Sequence, residues 1–374
     1  MAEVINWLKV VGREVAIDKE KEAKNGFPLP NIFEWIGLAI ARGASDLHLG
    51  VGSEPHLRLD GNLVPVGGYR LRAQDTERMA RELTPPDLES RLRTKGEVDF
   101  SLSLPKAGRL RANIYIQRGS RSLAIRLIPG CIPSLEELGL SPVVKALALE
   151  PRGLVLVTGP SGCGKSTTLA AMVQMINRER CCHVITLEDP IEYLHKNESS
   201  LIDQREVGTD TESFQDGLRA ALREDPDVIL VGEMRDPETI TIALTAAETG
   251  HLVLSSLHTP DAAQAVDRII DVLPPHQQQQ GRVQLAGTLR GVVAQRLLPR
   301  RGGGRVPARE IVLATPAVRN LIREGKSYQI PSQMQMGRNA GMTTLEVSLK
   351  ELVVRGVITE DVYQGEMGQE PSRG

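Results

Sequence analysis

Aromatic residues are scarce in this 374-residue chain: 2 tryptophans, 5 tyrosines and 4 phenylalanines, 3% in all. So little ring surface leaves few platforms on which bases could stack, which argues against a protein that grips single-stranded nucleic acid. Net charge is equally sparse, because 45 basic and 47 acidic side chains leave −2 at neutral pH. No global field draws the chain to a polyanion or an anionic membrane surface. The 4 cysteines, Cys131, Cys163, Cys181 and Cys182, include no Cys-x-x-Cys pair, which disfavours a zinc knuckle or a secreted disulfide framework and predicts a reducing, cytoplasmic setting. No apolar run reaches the ~18 residues of a membrane span. The apolar stretch Val4 to Leu8, bounded by Glu3 and Lys9, is too short for a signal peptide.

The length predicts two domains. Residues 1–30 end in a mixed charge run, Asp18 to Lys24, followed by Pro28 and Pro30, and form an N-terminal extension. Residues 31–129 carry short alternating strands (Asp46 to Leu49, Pro55 to Asp60, Asn62 to Val66) with Asp60-Gly61 as a tight turn. Two helical stretches, Ala73 to Leu83 and Asp87 to Lys95, precede three further strands at Val98 to Leu104, Arg109 to Gln117 and Ser122 to Ile128. This is an α+β pattern with an antiparallel sheet. Residues 130–140 read as a linker, with Pro129 to Pro133 as the hinge. In residues 141–364, apolar strands at Leu154 to Thr158, His183 to Leu187, Val228 to Val231 and Leu252 to Ser256 alternate with helical stretches, the pattern of an α/β domain on a largely parallel sheet. Residues 365–374 are polar and glycine-rich, a composition that predicts a disordered tail.

The first of these strands runs into Gly159-Pro160-Ser161-Gly162-Cys163-Gly164-Lys165-Ser166, followed by Thr167 and a helical pattern. Strand, GxxxxGKS and helix in this order make a phosphate-binding loop. Glycines let backbone N–H groups surround phosphate oxygens, Lys165 neutralises the β and γ phosphates, and Ser166 offers a hydroxyl to Mg²⁺. Hydrolysis further needs acids to hold the metal and polarise water. Two acidic clusters follow at strand ends, Glu188-Asp189-Pro190-Ile191-Glu192 and, after Val228 to Val231, Gly232-Glu233. His251 and His258 bracket the next strand. They lack a third zinc ligand at helical spacing and suit a sensor of the γ-phosphate. Cys163 within the loop predicts sensitivity to thiol reagents.

These motifs in this order resemble the type II/IV secretion ATPases, and among them the type IV pilus retraction ATPases of the PilT family. Thr186 to Tyr193 is similar to that family's Asp box, Val228 to Arg235 to its atypical Walker B strand, and Gly250 to Thr259 to its His box. Ala44 to Leu49 and Ala317-Val-Arg-Asn-Leu-Ile-Arg-Glu324 match two further family motifs. The chain departs from the family at Cys163 and at Ser255-Ser256. It has no cysteine after Cys182, whereas pilus-assembly and type II secretion relatives commonly carry a tetracysteine zinc module there.

The resemblance implies a PAS-like α+β domain followed by a RecA-like P-loop ATPase domain. It implies ATP as substrate, Mg²⁺ held by Ser166 and Glu233, and Glu192 as catalytic base. Arg111 and Arg126, with Arg109 less well matched, would reach the neighbouring subunit's phosphates. The assembly implied is a homohexamer acting on an inner-membrane pilus platform protein, peripheral to that membrane at the pilus base, to drive pilus retraction and twitching motility. Ala317 to Glu324 would serve the pulling, with Leu321 and Ile322 as the positions to alter. A related secretion or accessory pilus ATPase is the nearest alternative. A nucleic-acid translocase is favoured only by Arg296, Arg300, Arg301, Arg305 and Arg309, a small-molecule kinase would require an acceptor, and a non-hydrolysing switch would not need Glu192 and Glu233.

Overall fold

A computed structural model describes residues 31–59, 61–104, 108–128 and 131–368. The N-terminal extension, Asp60 of the expected turn, Pro129 and Gly130 of the expected hinge, and residues 369–374 of the expected tail lie outside the described residues, whereas Gly365 and Glu366 of that tail are helical, at the end of the helix Glu360–Glu366. The chain divides into two compact units, with the boundary between Gly130 and Cys131.

Among the described residues, the first element of this unit is a helix that the sequence reading did not anticipate, α1 (Ile32–Ala41). Its start is fixed by a capping box in which the Asn31 side chain accepts from Glu34 N and the Glu34 carboxylate accepts from Asn31 N. Ile32, Trp35, Ile36 and Ala39, at helical spacing, are its buried face. There follow β1 (Asp46–Leu49), β2 (His56–Leu59), β3 (Asn62–Pro65), α2 (Ala73–Leu83), α3 (Glu89–Lys95), β4 (Glu97–Leu104), β5 (Gly108–Gln117) and β6 (Ser120–Ile128). The strands form one sheet in the order β3-β2-β1-β6-β5-β4, antiparallel throughout. Arg121 of β6, 9% exposed, pairs with Glu89 of α3 and Glu77 of α2, fastening both helices to the sheet.

The second unit contains α4 (Pro142–Ala148), β7 (Gly153–Thr158), α5 (Lys165–Glu179), β8 (His183–Glu188), β9 (Leu201–Glu206), α6 (Phe214–Ala221), β10 (Val228–Val231), α7 (Pro237–Thr249), β11 (Leu252–Leu257), α8 (Ala262–Val272) and α9 (Pro275–Thr288). It continues through β12 (Leu289–Pro299), β13 (Arg305–Leu313), α10 (Pro316–Arg323), α11 (Ile330–Met336), α12 (Leu345–Val354) and α13 (Glu360–Glu366). The sheet order is β13-β12-β7-β11-β10-β8-β9. All neighbours are parallel except the edge pair β12 and β13. The sequence reading missed β9, β12 and β13. Polar residues interrupt β9 (Asp203, Gln204, Arg205, Glu206), so neither alternation nor an apolar run marks it.

Strand β7 is buried along its whole length, and its alternation divides its side chains between two cores. Leu154 and Leu156 join the cluster that includes α7, α8 and α9, whereas Val155 and Val157 join the one that includes α4 and α5. A sheet covered by helices on both faces thus brings the end of β7 into a fixed position. Residues 134–140 belong to this unit as a series of turns. Leu135 is buried in the core against α4 and α5. The Arg309 guanidinium of β13, 9% exposed, donates to the carbonyls of Leu138 and Gly139 at 2.6 and 3.1 Å. Burial lowers its pKa to about 10, so it is still cationic at neutral pH.

Candidate nucleotide-hydrolysis site

Four parallel strands, β7, β11, β10 and β8, present their C-terminal ends side by side, the edge at which open α/β sheets bind ligands. The loop after β7 begins at Gly159, where φ is 144° and a side chain is sterically impossible. A Cβ there would strike the Gln295 carbonyl and stand 2.6 Å from Cys163 Sγ. The loop ends at Gly164, in the left-handed region at φ 92°, from which α5 starts with its N-terminal N–H groups and positive dipole end facing the loop. Ser161 and Gly162 are exposed, and Ser166 and Thr167 are half-buried at the start of α5.

Lys165 is 8% exposed. Its Nζ donates to the carbonyls of Gly159 and Pro160 at 2.8 and 3.1 Å and lies 3.4 Å from His258 Nδ1. Burial lowers its pKa, opposed by the negative charges around it, among them Glu233 and Glu192, so both carboxylates act on the same ammonium. Glu233, after β10 and Gly232, has Oε1 at 3.2 Å from His258 Nε2 and 2.7 Å from Arg235 Nε. Burial pushes the Glu233 carboxyl up, but the Arg235 hydrogen bond and His258 outweigh it and leave the pKa below the ordinary value. His258 therefore bridges cation and anion. A proton on Nε2 lets it donate to Glu233 while Nδ1 accepts from Lys165. The sequence reading did not single out Arg235, though it follows Glu233 within the same motif.

Glu192 is exposed on the loop after β8, and that loop is held from several sides. Ile191 N donates to Glu206 Oε2 at 3.1 Å and Glu192 N to Glu188 Oε2 at 3.4 Å. Gln204 Nε2 donates to the Tyr193 carbonyl at 2.8 Å and to Glu188 at 3.2 Å. The Tyr193 hydroxyl lies 2.8 Å from Thr167 Oγ1, joining the acidic loop to the start of α5. Burial raises the Glu188 pKa even against the bonds it accepts from Thr186 and Gln204. Glu188 thus orients the loop, while Asp189 and Glu192 face out.

The family departure at Ser255-Ser256 has a visible use. Ser255 Oγ donates to the Val231 carbonyl at 2.7 Å and Ser256 Oγ to the Gly232 carbonyl at 2.6 Å, fastening β11 to the end of β10 next to Glu233. Ser166 and Glu233 contribute a hydroxyl and a carboxylate, hard oxygen donors of the kind Mg²⁺ takes. Arg111 and Arg126 stand directly opposite each other on β5 and β6, hence on one face of the first unit's sheet. They lie near Asp99 (3.7 Å) and on Asp46 (3.0 Å), respectively.

Three expectations are corrected. His251 does not share the site of His258, because the full length of β11 separates them, roughly 20 Å at strand rise. Its Nδ1 lies 2.9 Å from the Ala246 carbonyl at the opposite edge of the sheet. Cys163 is not a reactive loop thiol: it is 2% exposed and burial raises its pKa, which disfavours the thiolate. Ile322 of α10 is wholly buried, Leu321 half-buried, and Asn320, Arg323 and Glu324 are exposed. Alteration of Ile322 therefore tests the core before it tests any docking. The arginine group also disperses, since Arg296 pairs with Glu366 at 2.8 Å and Arg309 is buried, leaving Arg300, Arg301 and Arg305 exposed on the β12–β13 hairpin.

The family model for type II/IV secretion system proteins matches residues 22–364. The type IV pilus retraction ATPase PilT of Pseudomonas aeruginosa is 46% identical over 336 residues, covering 88% of this chain and 96% of that one. A twitching motility protein of Neisseria gonorrhoeae is 47% identical, covering 82% of each chain. Among solved structures, that of the pilus retraction motor PilT with bound ADP superposes with a TM-score of 0.84 at 47% identity, covering 90% of this chain and 96% of that one. No described helix is long and apolar enough to cross a membrane. With a phosphate loop, two strand-end acids and a histidine at one sheet edge, and relatives matched over most of their length, this chain belongs to the type II/IV secretion system ATPases, in the PilT family of type IV pilus retraction ATPases.

Proposed function

We propose that the protein is an ATP-hydrolysing motor that powers type IV pilus retraction, and with it twitching motility, by driving pilin disassembly at the inner membrane. The observation that carries the chemistry is the Lys165–His258–Glu233 chain at the mouth of the phosphate loop, with Glu192 on the neighbouring loop. The loop N–H groups and Lys165 bind the phosphates, Glu192 polarises the attacking water, and His258 reads the γ-phosphate. Ser166 and Glu233 would hold Mg²⁺, which when bound neutralises charge on the phosphate oxygens.

The strand order β12-β7-β11-β10-β8, with the phosphate loop after the second of these, supports a RecA-like second unit. The six-stranded antiparallel sheet with helices is compatible with a PAS-like first unit. The working assembly is a homohexamer in which Arg111 and Arg126 complete the neighbouring subunit's site. It is peripheral to the inner membrane and acts on the pilus platform protein. Free phosphate released from ATP with no added acceptor separates this reading from a kinase.

Deleting the gene tests the direction of the motor. Cells that still display pili but cannot crawl are expected, and bald cells would overturn the reading. The role of α10 is tested with Asn320→Ala and Arg323→Glu, which leave the core intact, whereas Ile322→Ala opens a cavity at a cost of about 2–5 kcal/mol. Retraction lost with hydrolysis retained is the expected result for the exposed pair.

A further inference from the structure

Gln295 has no part in the roles above, yet it is a polar side chain only 2% exposed beneath the phosphate loop. It lies on β12 one residue past Ala294, the partner of Thr158 on β7. Gln295 Nε2 donates to the Cys163 carbonyl at 2.9 Å, within the loop. Its Oε1 accepts from Thr168 Oγ1 at 3.0 Å, in the first turn of α5. These partners fix the orientation of the amide, because turning it over would set oxygen against the Cys163 carbonyl oxygen. The fit is close on both sides: a Cβ on Gly159 would strike the Gln295 carbonyl, and one on Gly164 would stand 3.3 Å from Nε2.

We propose that Gln295 is a positioning residue for nucleotide binding, which sets the Cys163–Gly164 peptide so that its N–H faces the phosphates. This rests on the reading that the loop binds nucleotide phosphates. In a planar trans peptide the C=O and N–H point in opposite directions. Pinning the Cys163 carbonyl inward on Gln295 therefore turns the Gly164 N–H outward, to the open side of the loop. In a glycine-rich turn the peptide has little else to choose that orientation. The Thr168 bond ties the same amide to α5, so loop and helix N-terminus keep one geometry before nucleotide arrives.

The test is equilibrium binding of a fluorescent ADP derivative to the full chain, together with steady-state hydrolysis and melting without nucleotide. Gln295→Leu keeps the bulk and removes both bonds. Its Kd for ADP and its KM for ATP are expected to rise about tenfold or more, tenfold being about 1.4 kcal/mol, with kcat within about threefold and the melting transition retained. Gln295→Glu, which opposes the Cys163 carbonyl with another acceptor, is expected to weaken ADP binding at least as much. Thr168→Val, which loses one bond, is expected to cost about threefold, and adding it to Gln295→Leu should cost nothing further. Unchanged ADP affinity in a folded Gln295→Leu beside an unaltered protein that binds ADP overturns the proposal. If Gln295→Leu does not fold, Thr168→Val decides, and unchanged affinity there overturns it. Failure of the unaltered protein to bind ADP overturns the nucleotide reading itself, and this inference with it.

Discussion

At the N-terminal edge of the seven-stranded sheet, polar residues are closed upon the chain itself. His183 N donates to Asp227 Oδ2 at 2.9 Å, Gly153 N donates to the His251 carbonyl at 2.9 Å, and the His251 ring sits on the Ala246 carbonyl. At the C-terminal edge, Lys165, His258 and Glu233 bind one another at 3.4 and 3.2 Å, with Arg235 on the outer side. Residues of the same types serve structure at one edge and form a charged group beside the phosphate loop at the other. The difference follows from strand direction: parallel strands deliver all their exits, and every loop able to hold a ligand, to one side.

The largest expected effect that would break this contrast lies at Glu192. Glu192→Gln is expected to lower kcat by about 100-fold or more, the usual share of a positioned base, with ADP affinity preserved. Phosphate release near the unaltered rate would remove Glu192 from the chemistry. Next come the two histidines. His258→Asn is expected to lower hydrolysis about tenfold or more, the loss of the bridge between Lys165 and Glu233, and His251→Asn to leave it within about twofold. Equal losses measured side by side would erase the distinction between the edges.

A smaller effect is expected in acid. Because the folded Glu233 pKa is below its ordinary value, its contribution is present above the unfolded pKa and lost as pH falls through the depressed one. Denaturant unfolding followed from neutral pH downward should therefore show a shallower loss for Glu233→Gln than for the unaltered protein, and coincident curves would contradict the depressed pKa. Smallest is the labelling of thiols. The exposed Cys131 and Cys181 are expected to react with a thiol reagent well before Cys163, and ADP should change their rates little. Fast loss of ATP binding on labelling would place Cys163 back among the reactive groups.

The loop from Gly159 to Ser166, Glu192 and Glu233 were legible because each lies in a local pattern whose chemistry is tied to its residue types. The strands around the site were legible for a similar reason, since β10 is a continuous apolar run and β7, β8 and β11 are mostly apolar. Helix α1 was missed because its cap, Asn31, follows two prolines that read as a break. Gln295 left no signal: 131 positions separate it from Gly164, and only the pairing of β12 with β7 joins them. His251 and His258 looked equivalent because a strand's two flanks are close in sequence and far apart in space. Cys163 looked reactive because a loop position implied exposure, whereas its side chain turns beneath the loop.

The two bonds from Arg309 to the carbonyls of Leu138 and Gly139 set a rule for dissecting this chain. A catalytic fragment cut at Ser141 would discard both acceptors and the buried Leu135, a loss on the order of several kcal/mol. An independently folding fragment therefore has to begin upstream of Ser134, and the helix-free stretch before α4 is as much part of the engine block as the strands beneath it.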